Sequence, residues 1–398
     1  MAPFRGLFIG ERQTMGFHSF ESPYDWSRID AYRRRAEQCP GGLVDLSVGS
    51  PVDPVPRSVK EALAAAADDG QARGYPKTAG DGPLRQAATD WFRRRRGVDL
   101  DALGADLVPT VGSKEAVALM ASLLHLGPGD RVVQPKVSYP TYAIGTQLAG
   151  AQVTTVDDPA NTDSWVDLPG VRAVWINSPG NPSGQVIDRA RLSKIVKAAR
   201  SIGATVLSDE CYAMLDWSEH TQVGQNAPIP ASPCILEPEV CGGDASGILC
   251  LYSMSKQSNM AGYRAALVAG DARLVKAMTA YRKQVGLIVP GPVQRAMRAA
   301  LEDGEAVMAQ REIYARRLRA LAQALTAYGY DAVMPQGGLY IWAQARSGDC
   351  WADMADLARM GILASPGEFY GDSHRLRFSS TISDDQLELA LERLHTGA

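Results

Sequence analysis

The segment Ser253-Met254-Ser255-Lys256, with Arg264 eight residues further on, gathers an uncommon set of functional groups. Two hydroxyls and a guanidinium this close together can hold a phosphate, because charged donors form strong hydrogen bonds with phosphate oxygens. The amine of Lys256 can react with an aldehyde to form a Schiff base. A lone S-x-S-K motif is a weak signal, so its interpretation depends on what accompanies it.

An upstream segment, Thr205–Asp209 followed by Glu210-Cys211-Tyr212, supplies the missing partner. Asp209 ends an apolar strand-like run, where its carboxylate can keep a pyridine nitrogen protonated. A phosphate site, an amine that captures an aldehyde and a partner for a ring nitrogen are what a protein provides for pyridoxal 5'-phosphate (PLP). The complete set, in this order, predicts a PLP site.

Composition limits the classes of function. The chain has 398 residues, of which 45% are hydrophobic and 21% charged, and its formal net charge is -3. These values predict a globular protein of two or three domains without a nucleic-acid partner. Since no apolar stretch reaches the roughly 18–20 residues of a membrane span, we expect a cytoplasmic protein with no membrane partner. The basic run Arg93–Arg96 is interpreted as the solvated end of a helix.

Six cysteines are scattered along the chain, and none belongs to a C-x-x-C pair. No histidine stands at metal-ligand spacing from them, so we expect neither a disulfide nor a metal ion.

From about residue 106 the chain alternates strand-like apolar runs with helical patterns, which predicts an α/β fold with a largely parallel sheet between helices. Helices are expected over Lys114–Leu126, Arg189–Ile202 and Ala272–Val285. The expected strands are Arg131–Gln134, Val153–Val156, Ala173–Asn177, Thr205–Asp209, Ile248–Ser253 and Ala265–Ala269.

After Pro290-Gly291-Pro292 the pattern changes to that of a smaller α+β domain, with helices expected at 305–328, 351–360 and from 384, and strands at 338–343 and 375–379. The predicted division is a flexible extension 1–19, a segment 20–58 that joins the small domain, a large PLP-binding domain 59–288 and a small C-terminal domain 289–398. The active site is expected between the domains, at the carboxyl ends of the large sheet's strands.

Gly112-Ser113-Lys114 stands at the start of a helical pattern. Glycine permits close backbone approach, and the free N–H groups of a first helical turn bind anions. We therefore predict phosphate binding by Ser113 and by the backbone of Gly112–Lys114, with a plain serine N-cap as the alternative. No Walker loop and no G-x-G-x-x-G occurs, which disfavours nucleotide binding.

Further side chains can contact a cofactor ring or a substrate. Asn181, in the turn after Ala173–Asn177, can donate to the cofactor's phenolic oxygen and to a substrate carboxylate, and Tyr212 can donate to the same oxygen. Tyr139 can stack on the pyridine face. Asn181 also belongs to a tight turn rich in Pro and Gly, which by itself explains the residue, and Tyr139 taken alone is better explained as a core or surface residue.

Arg375 and Arg377 alternate with apolar residues, so both point to one face of a strand. Either can clamp an α-carboxylate through paired hydrogen bonds, and a solvated edge strand is the alternative.

Together these residues resemble the class I/II aminotransferases of PLP fold type I, over essentially all of residues 20–398. The resemblance implies a mostly parallel seven-stranded sheet, amino-acid and 2-oxo-acid substrates, and a homodimer with a shared active site. It implies Lys256 as Schiff-base lysine and catalytic base, Asp209 at the ring nitrogen, Asn181 and Tyr212 at the phenolic oxygen, and Tyr139 stacked on the ring. The phosphate ligands implied are Ser113, Ser253, Ser255, Arg264 and Tyr75 of the partner subunit.

The same resemblance implies Arg377 as the ligand of the substrate α-carboxylate, in preference to Arg375, with Gly49 lending a backbone N–H. Candidates for lining the pocket around the distal part of the substrate are Tyr24, Trp26, Arg282 and Lys283.

Five phrases resemble a narrower group, the N-succinyl-LL-diaminopimelate aminotransferases of lysine and cell-wall synthesis: 45–56, 208–212, 240–243, 255–264 and 366–371. That likeness predicts exchange of an amino group between glutamate/2-oxoglutarate and N-succinyl-LL-diaminopimelate. An aminotransferase for aspartate, aromatic or other amino acids, or a PLP β-lyase, remains open. A regulator with a PLP domain would need a DNA-binding domain, for which we expect no room before residue 45.

Overall fold

The computed structural model describes residues 20–217 and 231–397, so the predicted extension 1–19 lies outside the described residues. Its strands are β1 (Val44–Asp45), β2 (Ala105–Val111), β3 (Arg131–Pro135), β4 (Gln152–Val156), β5 (Val171–Asn177), β6 (Thr205–Asp209), β7 (Ile248–Ser253), β8 (Ala265–Asp271), β9 (Tyr340–Gln344), β10 (Ile362–Leu363), β11 (Ser365–Pro366) and β12 (Arg375–Ser379). Its helices are α1 (Asp30–Glu37), α2 (Arg57–Ala65), α3 (Gly70–Arg73), α4 (Gly82–Arg96), α5 (Ser113–Leu123), α6 (Thr141–Leu148), α7 (Arg189–Ser201), α8 (Pro238–Cys241), α9 (Met254–Gln257), α10 (Ala272–Gln284), α11 (Gly291–Glu302), α12 (Gly304–Ala327), α13 (Cys350–Arg359) and α14 (Asp384–Thr396).

Seven strands form the large sheet, in the order β2-β8-β7-β6-β5-β3-β4. Neighbours from β7 to β4 are parallel, and β8 runs antiparallel to both β7 and β2. The predicted α/β fold with a mostly parallel seven-stranded sheet is therefore confirmed. The strand that the sequence did not single out is β2, where Pro109 interrupts the apolar run; β2 lies at the edge of the sheet, where the missing N–H of proline is tolerated.

The centre of the large sheet is buried on both faces. All six residues of β7 are buried, and apolar clusters lie on each side of the sheet. Helix packing on both faces explains why these strands read as continuous apolar runs. Because β6 and β7 are parallel neighbours, with Asp209 opposite Leu251, their carboxyl ends meet at one edge of the sheet.

The C-terminal part builds a second, smaller layer. β12 pairs antiparallel with β11 and β9, and β1 pairs parallel with β10. A separate core unites Ile29, Val44 and Leu46 from the N-terminal segment with side chains of α12, α13 and α14. The predicted small-domain helices and strands are all present, and the interpretation of β12 as an edge strand is wrong because it lies between two other strands.

Three further findings concern the basic run at Arg93–Arg96, the cysteines and membrane-spanning helices. Gly97, in the left-handed conformation, ends α4, but Arg96 is buried and pairs with Glu210, so the solvated helix end is wrong for that residue. All six cysteines are free thiols. In the described part of the chain, no helix is both long and apolar enough to cross a membrane.

Candidate active site

A cavity of about 260 Å³ lies at the carboxyl ends of β6 and β7, and residues of β9 and β12 form part of its wall. The structure brings most of the predicted site residues to this one cavity. Those that line it are Gly49, Ser113, Lys114, Tyr139, Asn181, Asp209, Tyr212, Ser253, Ser255, Lys256, Arg264 and Arg377.

Lys256 lies in α9, the single helical turn that follows β7. Its Nζ donates a hydrogen bond to the carbonyl oxygen of Gly49, which belongs to the N-terminal segment. Burial lowers the pKa of this amine below its ordinary value, and the nearby positive charge of Arg377 adds to that effect. A lowered pKa increases the fraction of neutral amine, which is the nucleophilic form.

The close packing around position 49 leaves room for glycine and for no larger residue. A Cβ built at this position would lie 1.9 Å from the hydroxyl oxygen of Tyr340, so any larger residue would displace that side chain.

Asp209 ends β6 with its carboxylate buried beneath the cavity. It accepts hydrogen bonds from the Tyr142 hydroxyl at 2.8 Å and from the Cys211 backbone N–H at 3.1 Å. In the described residues no arginine or lysine forms an ion pair with it. Burial raises the pKa of this carboxyl, because desolvation disfavours its ionised form. The carboxylate is thus prepared to accept a cationic N–H.

Serine and arginine groups gather at the start of α5. The hydroxyls of Ser253 and Ser255 are 2.9 Å apart, and Arg264 adopts a left-handed backbone conformation beside them. A Cβ built at Gly112 would lie 2.1 Å from a guanidinium nitrogen of Arg264, so the glycine permits this approach. Gly112 is the N-cap and no side chain caps α5, so the alternative of Ser113 as N-cap is wrong. Free N–H groups, hydroxyls and a guanidinium together form an anion site.

Two tyrosines meet above Lys256. The hydroxyls of Tyr212 and Tyr340 are 3.0 Å apart. Burial raises the pKa of Tyr212 well above its ordinary value. Burial acts in the same direction on Tyr340, but the positive charges of Arg377 and Lys256 outweigh it and lower the pKa. Sequence reasoning missed Tyr340, since a lone tyrosine in a strand is indistinguishable from a core residue.

Arg377 is 4% exposed and points into the cavity. Its guanidinium donates to Asn181 Oδ1 at 2.9 Å and to the carbonyl oxygen of Ser47 at 2.6 Å. Rings of Tyr340 and Tyr370 flank it, with their centroids 4.1 and 4.6 Å from the guanidinium carbon. Its Nε has no hydrogen-bond partner, and no carboxylate in the described residues forms an ion pair with it.

The other arginine of the strand differs. Arg375 is half-buried, pairs with Asp372 at 3.5 Å, and lines a separate cleft next to the cavity. The structure therefore distinguishes Arg377, which lines the cavity, from Arg375, which does not. The alternation of residues along the strand could not make this distinction.

Asn181 and Tyr139 complete the walls. The side-chain oxygen of Asn181 is occupied by Arg377, and its amide nitrogen has no protein partner among the residues described. The ring of Tyr139 packs edge-on against Tyr142, with centroids 5.8 Å apart. Tyr370, which also lines the cavity, stands in the 366–371 phrase, so the sequence marked its segment without indicating its contact with Arg377.

Of the remaining residues predicted for the site, some line the cavity and others do not. Tyr24 and Trp26 line the cavity, as predicted. Arg282 does not: it is fully buried and makes two hydrogen bonds of 3.0 Å to the carboxylate of Glu115. Lys283 is exposed on the same helix and is not part of the cavity wall, so this prediction is wrong for both residues. Tyr75 is 99% exposed, outside the cavity of its own chain.

The donor set fits a ligand with an aldehyde, an aromatic nitrogen and a phosphate. Lys256 offers an amine, Asp209 a buried carboxylate without a cation, and the start of α5 an anion site. These are separate features of one cavity, and PLP carries the three complementary groups.

Comparisons with known proteins agree with a PLP site in this cavity. The family model for aminotransferase class I and II matches residues 42–394, and the chain belongs to this family. The chain is therefore a transaminase, and its cofactor is pyridoxal 5'-phosphate.

Several relatives carry more specific names. The chain is 41% identical over 373 residues to 4-dedimethylamino-4-oxo-anhydrotetracycline transaminase OxyQ of Streptomyces rimosus, covering 93% of this chain and 98% of the relative. It is 41% identical over 389 residues to the probable aminotransferase Rv1178 of Mycobacterium tuberculosis, covering 97% and 88%. An LL-diaminopimelate aminotransferase of Dehalococcoides mccartyi is 31% identical over 368 residues, covering 88% and 90%.

Among solved structures, a double mutant of Thermus thermophilus aspartate aminotransferase superposes with a TM-score of 0.79. It is 26% identical to this chain and the match covers 94% of this chain and 95% of that one.

Proposed function

We propose that this aminotransferase exchanges an amino group between glutamate/2-oxoglutarate and N-succinyl-LL-diaminopimelate, in the synthesis of diaminopimelate and lysine. The observation that carries the proposal is a cavity that joins the PLP donor set to Arg377, a buried guanidinium without a carboxylate partner in the described residues. The substrate assignment is supported by the five sequence phrases and by relatives named for LL-diaminopimelate.

Each side chain has a role that follows from its position. Bound PLP supplies an electron sink for the electron pair left when the substrate Cα proton is removed. Lys256 removes and returns that proton as the single acid and base. Asp209 keeps a proton on the pyridine nitrogen, and Asn181 and Tyr212 donate to the phenolic oxygen.

Substrate orientation is the task of Arg377. It binds the α-carboxylate through two parallel hydrogen bonds, so that the Cα proton faces Lys256. Gly49 contributes its backbone to the same end of the substrate. Ser113, Ser253, Ser255 and Arg264, with the backbone of Gly112–Lys114, bind the phosphate.

A second candidate is amination of a ketone on a bulky ring substrate. The 41% identity to a transaminase named for an oxo-anhydrotetracycline, over 98% of that relative, favours it. Proton transfer at the reacting carbon would be unchanged. A ring ketone has no α-carboxylate, so Arg377 would then bind the α-carboxylate of the amino-acid donor alone.

We also propose a homodimer in which Tyr75 enters the partner's phosphate site. Nearly complete exposure of a tyrosine next to Pro76 supports this, since a large aromatic surface is normally covered in an assembly. Tyr75→Phe should weaken PLP retention without changing the dimer's mass, whereas a monomer in solution would contradict the proposal.

One assay tests the substrate. Initial rates with 2-oxoglutarate are compared for N-succinyl-LL-diaminopimelate, LL-diaminopimelate, aspartate, phenylalanine and alanine, together with pyruvate release as a test for β-lyase activity. We expect kcat/KM for the succinylated substrate to exceed every other value at least about tenfold, a difference of about 1.4 kcal/mol. A tenfold preference for aspartate or an aromatic donor would defeat the substrate assignment while leaving the transaminase assignment intact.

A second assay tests the cofactor lysine. The purified protein should show the visible absorption of covalently bound PLP, and Lys256→Ala should remove it. Lys114→Ala provides the comparison lysine on the same cavity wall. An unchanged visible band in the Lys256 variant would show that another residue carries the cofactor.

A further inference from the structure

Tyr340 is a cavity side chain to which the proposed function gives no role. It belongs to β9 in the small domain, is 3% exposed and lines the cavity together with Lys256 and Arg377. Its ring packs on the Arg377 guanidinium, with 4.1 Å between the ring centroid and the guanidinium carbon. A phenylalanine ring would make the same contact, so the contacts of the hydroxyl must be considered separately.

The Tyr340 hydroxyl lies between the side chain of Tyr212 and the surroundings of Lys256. Its oxygen is 3.0 Å from the hydroxyl oxygen of Tyr212. On another side it reaches Gly49, where a built Cβ would lie 1.9 Å from it. The carbonyl oxygen of Gly49 accepts the hydrogen bond from Lys256 Nζ. Tyr340 therefore brings a hydroxyl of the small domain into contact with the part of the cavity that surrounds the cofactor lysine.

The direction of the hydrogen bond between the two hydroxyls follows from counting protons. Each tyrosine hydroxyl has one proton to donate. If Tyr212 donates its proton to the phenolic oxygen of PLP, the proton between the two tyrosines must come from Tyr340. Burial raises the pKa of both hydroxyls, but at Tyr340 the charges of Arg377 and Lys256 outweigh burial and lower the pKa. Tyr340 is thus the more acidic hydroxyl and the stronger donor.

The ionisable groups around the Tyr340 hydroxyl support the same direction. Those that interact electrostatically with it are Tyr139, Tyr212, Lys256, Tyr314, Tyr370 and Arg377. Two of them are cations, and no carboxylate of the described residues belongs to this set. The field at the hydroxyl is therefore positive, which favours displacement of its proton toward a neighbouring oxygen.

We propose that Tyr340 is a positioning residue that donates its hydroxyl proton to Tyr212 and thereby strengthens the hydrogen bond from Tyr212 to the phenolic oxygen of PLP. This role rests on the proposed function, in which Tyr212 donates to that oxygen. Hydrogen bonds in a chain polarise one another, so a hydroxyl that accepts a proton donates its own more strongly. The phenolic oxygen is then more stable as an anion. The nitrogen that joins Lys256 to the cofactor consequently loses its proton at a lower pH.

Tyr370 shows what a purely packing role would look like. Its ring also lies on Arg377, with its centroid 4.6 Å from the guanidinium carbon, and it lines the same cavity. Its hydroxyl, however, lies 3.1 Å from Ser365 Oγ, and in the described part of the chain it makes no hydrogen bond to Tyr212. Tyr370→Phe is therefore a matched control for Tyr340→Phe.

The test is a pH titration of the visible absorption band of the holoenzyme, which reports the proton on the nitrogen between Lys256 and PLP. Tyr340→Phe keeps the ring on Arg377 and removes only the hydroxyl. We expect the midpoint to rise by about 0.5–1 pH unit, the effect of losing one hydrogen bond. Tyr370→Phe should leave the midpoint unchanged. In a Tyr212→Phe background, Tyr340→Phe should give no further rise, because the two hydroxyls act in series.

An unchanged or lowered midpoint in Tyr340→Phe, or the same rise with and without the Tyr212 hydroxyl, would overturn the proposal. If Tyr212→Phe alone leaves the midpoint unchanged, the assignment of Tyr212 to the phenolic oxygen fails and the role of Tyr340 fails with it. The titration requires no amino-acid substrate. A wild-type enzyme that rejects N-succinyl-LL-diaminopimelate but shows the expected shifts would therefore defeat the substrate assignment and leave the role of Tyr340 intact.

Discussion

Two neighbouring carboxylates, Asp209 and Glu210, are both buried at the end of β6, yet they lie in opposite electrostatic surroundings. Glu210 forms an ion pair with Arg96, and both side chains are almost completely buried. Asp209 accepts hydrogen bonds from a tyrosine hydroxyl and a backbone N–H, and it forms no ion pair within the described residues. The same contrast separates Arg96 from Arg377, whose partners are neutral oxygens.

The difference shows which buried charges serve the fold and which serve a ligand. A buried charge is costly unless it is paired, so Arg96 and Glu210 are neutralised within the protein. Asp209 and Arg377 are unpaired in the described residues, and both line the cavity. Their partners are therefore expected to come with the cofactor and the substrate.

Breaking the internal pair should have the largest effect. Arg96→Met leaves Glu210 as an uncompensated buried charge, and we expect the free energy of unfolding to fall by about 3–5 kcal/mol. Urea denaturation of the holoenzyme measures this. Arg94→Met, two residues earlier and exposed on α4, is the control and should change it by less than about 0.5 kcal/mol. Equal stability of the two variants would contradict the structural role of the pair.

Asp209→Asn should lower the activity of the enzyme without lowering the stability of the apoprotein. We expect turnover to fall about a hundredfold or more, because a neutral amide cannot hold the proton on the pyridine nitrogen. The apoprotein should not lose stability. Burial raises the pKa of Asp209, so the folded apoprotein binds this proton more tightly than the unfolded chain does, and its stability falls as pH rises from the ordinary pKa through the raised one.

At any pH above the ordinary pKa of an aspartate, the asparagine variant avoids this penalty. Its thermal midpoint as apoprotein should therefore equal or exceed that of the wild type. A large loss of apoprotein stability, or turnover near the wild-type value, would show that Asp209 belongs with Glu210 as a structural residue.

The two arginines of β12 provide the next comparison. Arg377→Ala should raise the transition-state free energy by roughly 2–3 kcal/mol for every amino-acid donor alike, because each has an α-carboxylate. Arg375→Ala removes only a half-exposed pair with Asp372 and should cost less than about 1 kcal/mol. Steady-state kinetics with two chemically different donors measures both. The reverse order would place the carboxylate clamp at Arg375.

The smallest expected effect is a change in the pH dependence of covalent PLP uptake. Burial lowers the pKa of Lys256, and the charge of Arg377 lowers it further, so Arg377→Met should raise it. A higher pKa leaves less neutral amine at a given pH. The rate at which the apoprotein takes up PLP covalently should therefore depend on pH with a midpoint displaced to higher pH in the variant. Stopped-flow absorbance measures this, and a displacement to lower pH would contradict the assigned coupling.

Sequence reasoning predicted the parts of the fold that depend on local pattern. The six strands predicted for the large sheet agree with the structure within two residues. Helices on both faces of a sheet bury its strands, so these strands appear in the sequence as apolar runs. Lys256, Asp209 and the segment at Gly112 could be singled out from the sequence because each combines a reactive group with a strand end or a helix start. The interruption of β2 by Pro109 hid the edge strand.

Errors arose where the partner is distant in sequence. From the sequence Arg282 is interpreted as an unpaired cation, because its partner Glu115 lies 167 residues away along the chain. Arg96 reads as one of four surface arginines until Glu210 is placed beside it. Tyr340 could not be assigned from its neighbours, because its importance depends on Gly49, Tyr212 and Arg377, which come from three other segments.

The close approach of Gly112 to Arg264 also constrains how the protein can evolve. Gly112 follows β2 and Arg264 precedes β8, so both stand at the same end of this antiparallel pair, where Val111 lies opposite Ala265. A single methyl group at 112 would overlap the guanidinium. Neither position can drift independently while the anion site is retained. A lineage that gains a side chain at 112 must move or shorten the side chain of Arg264, and either change disturbs the cation that we propose for the phosphate site.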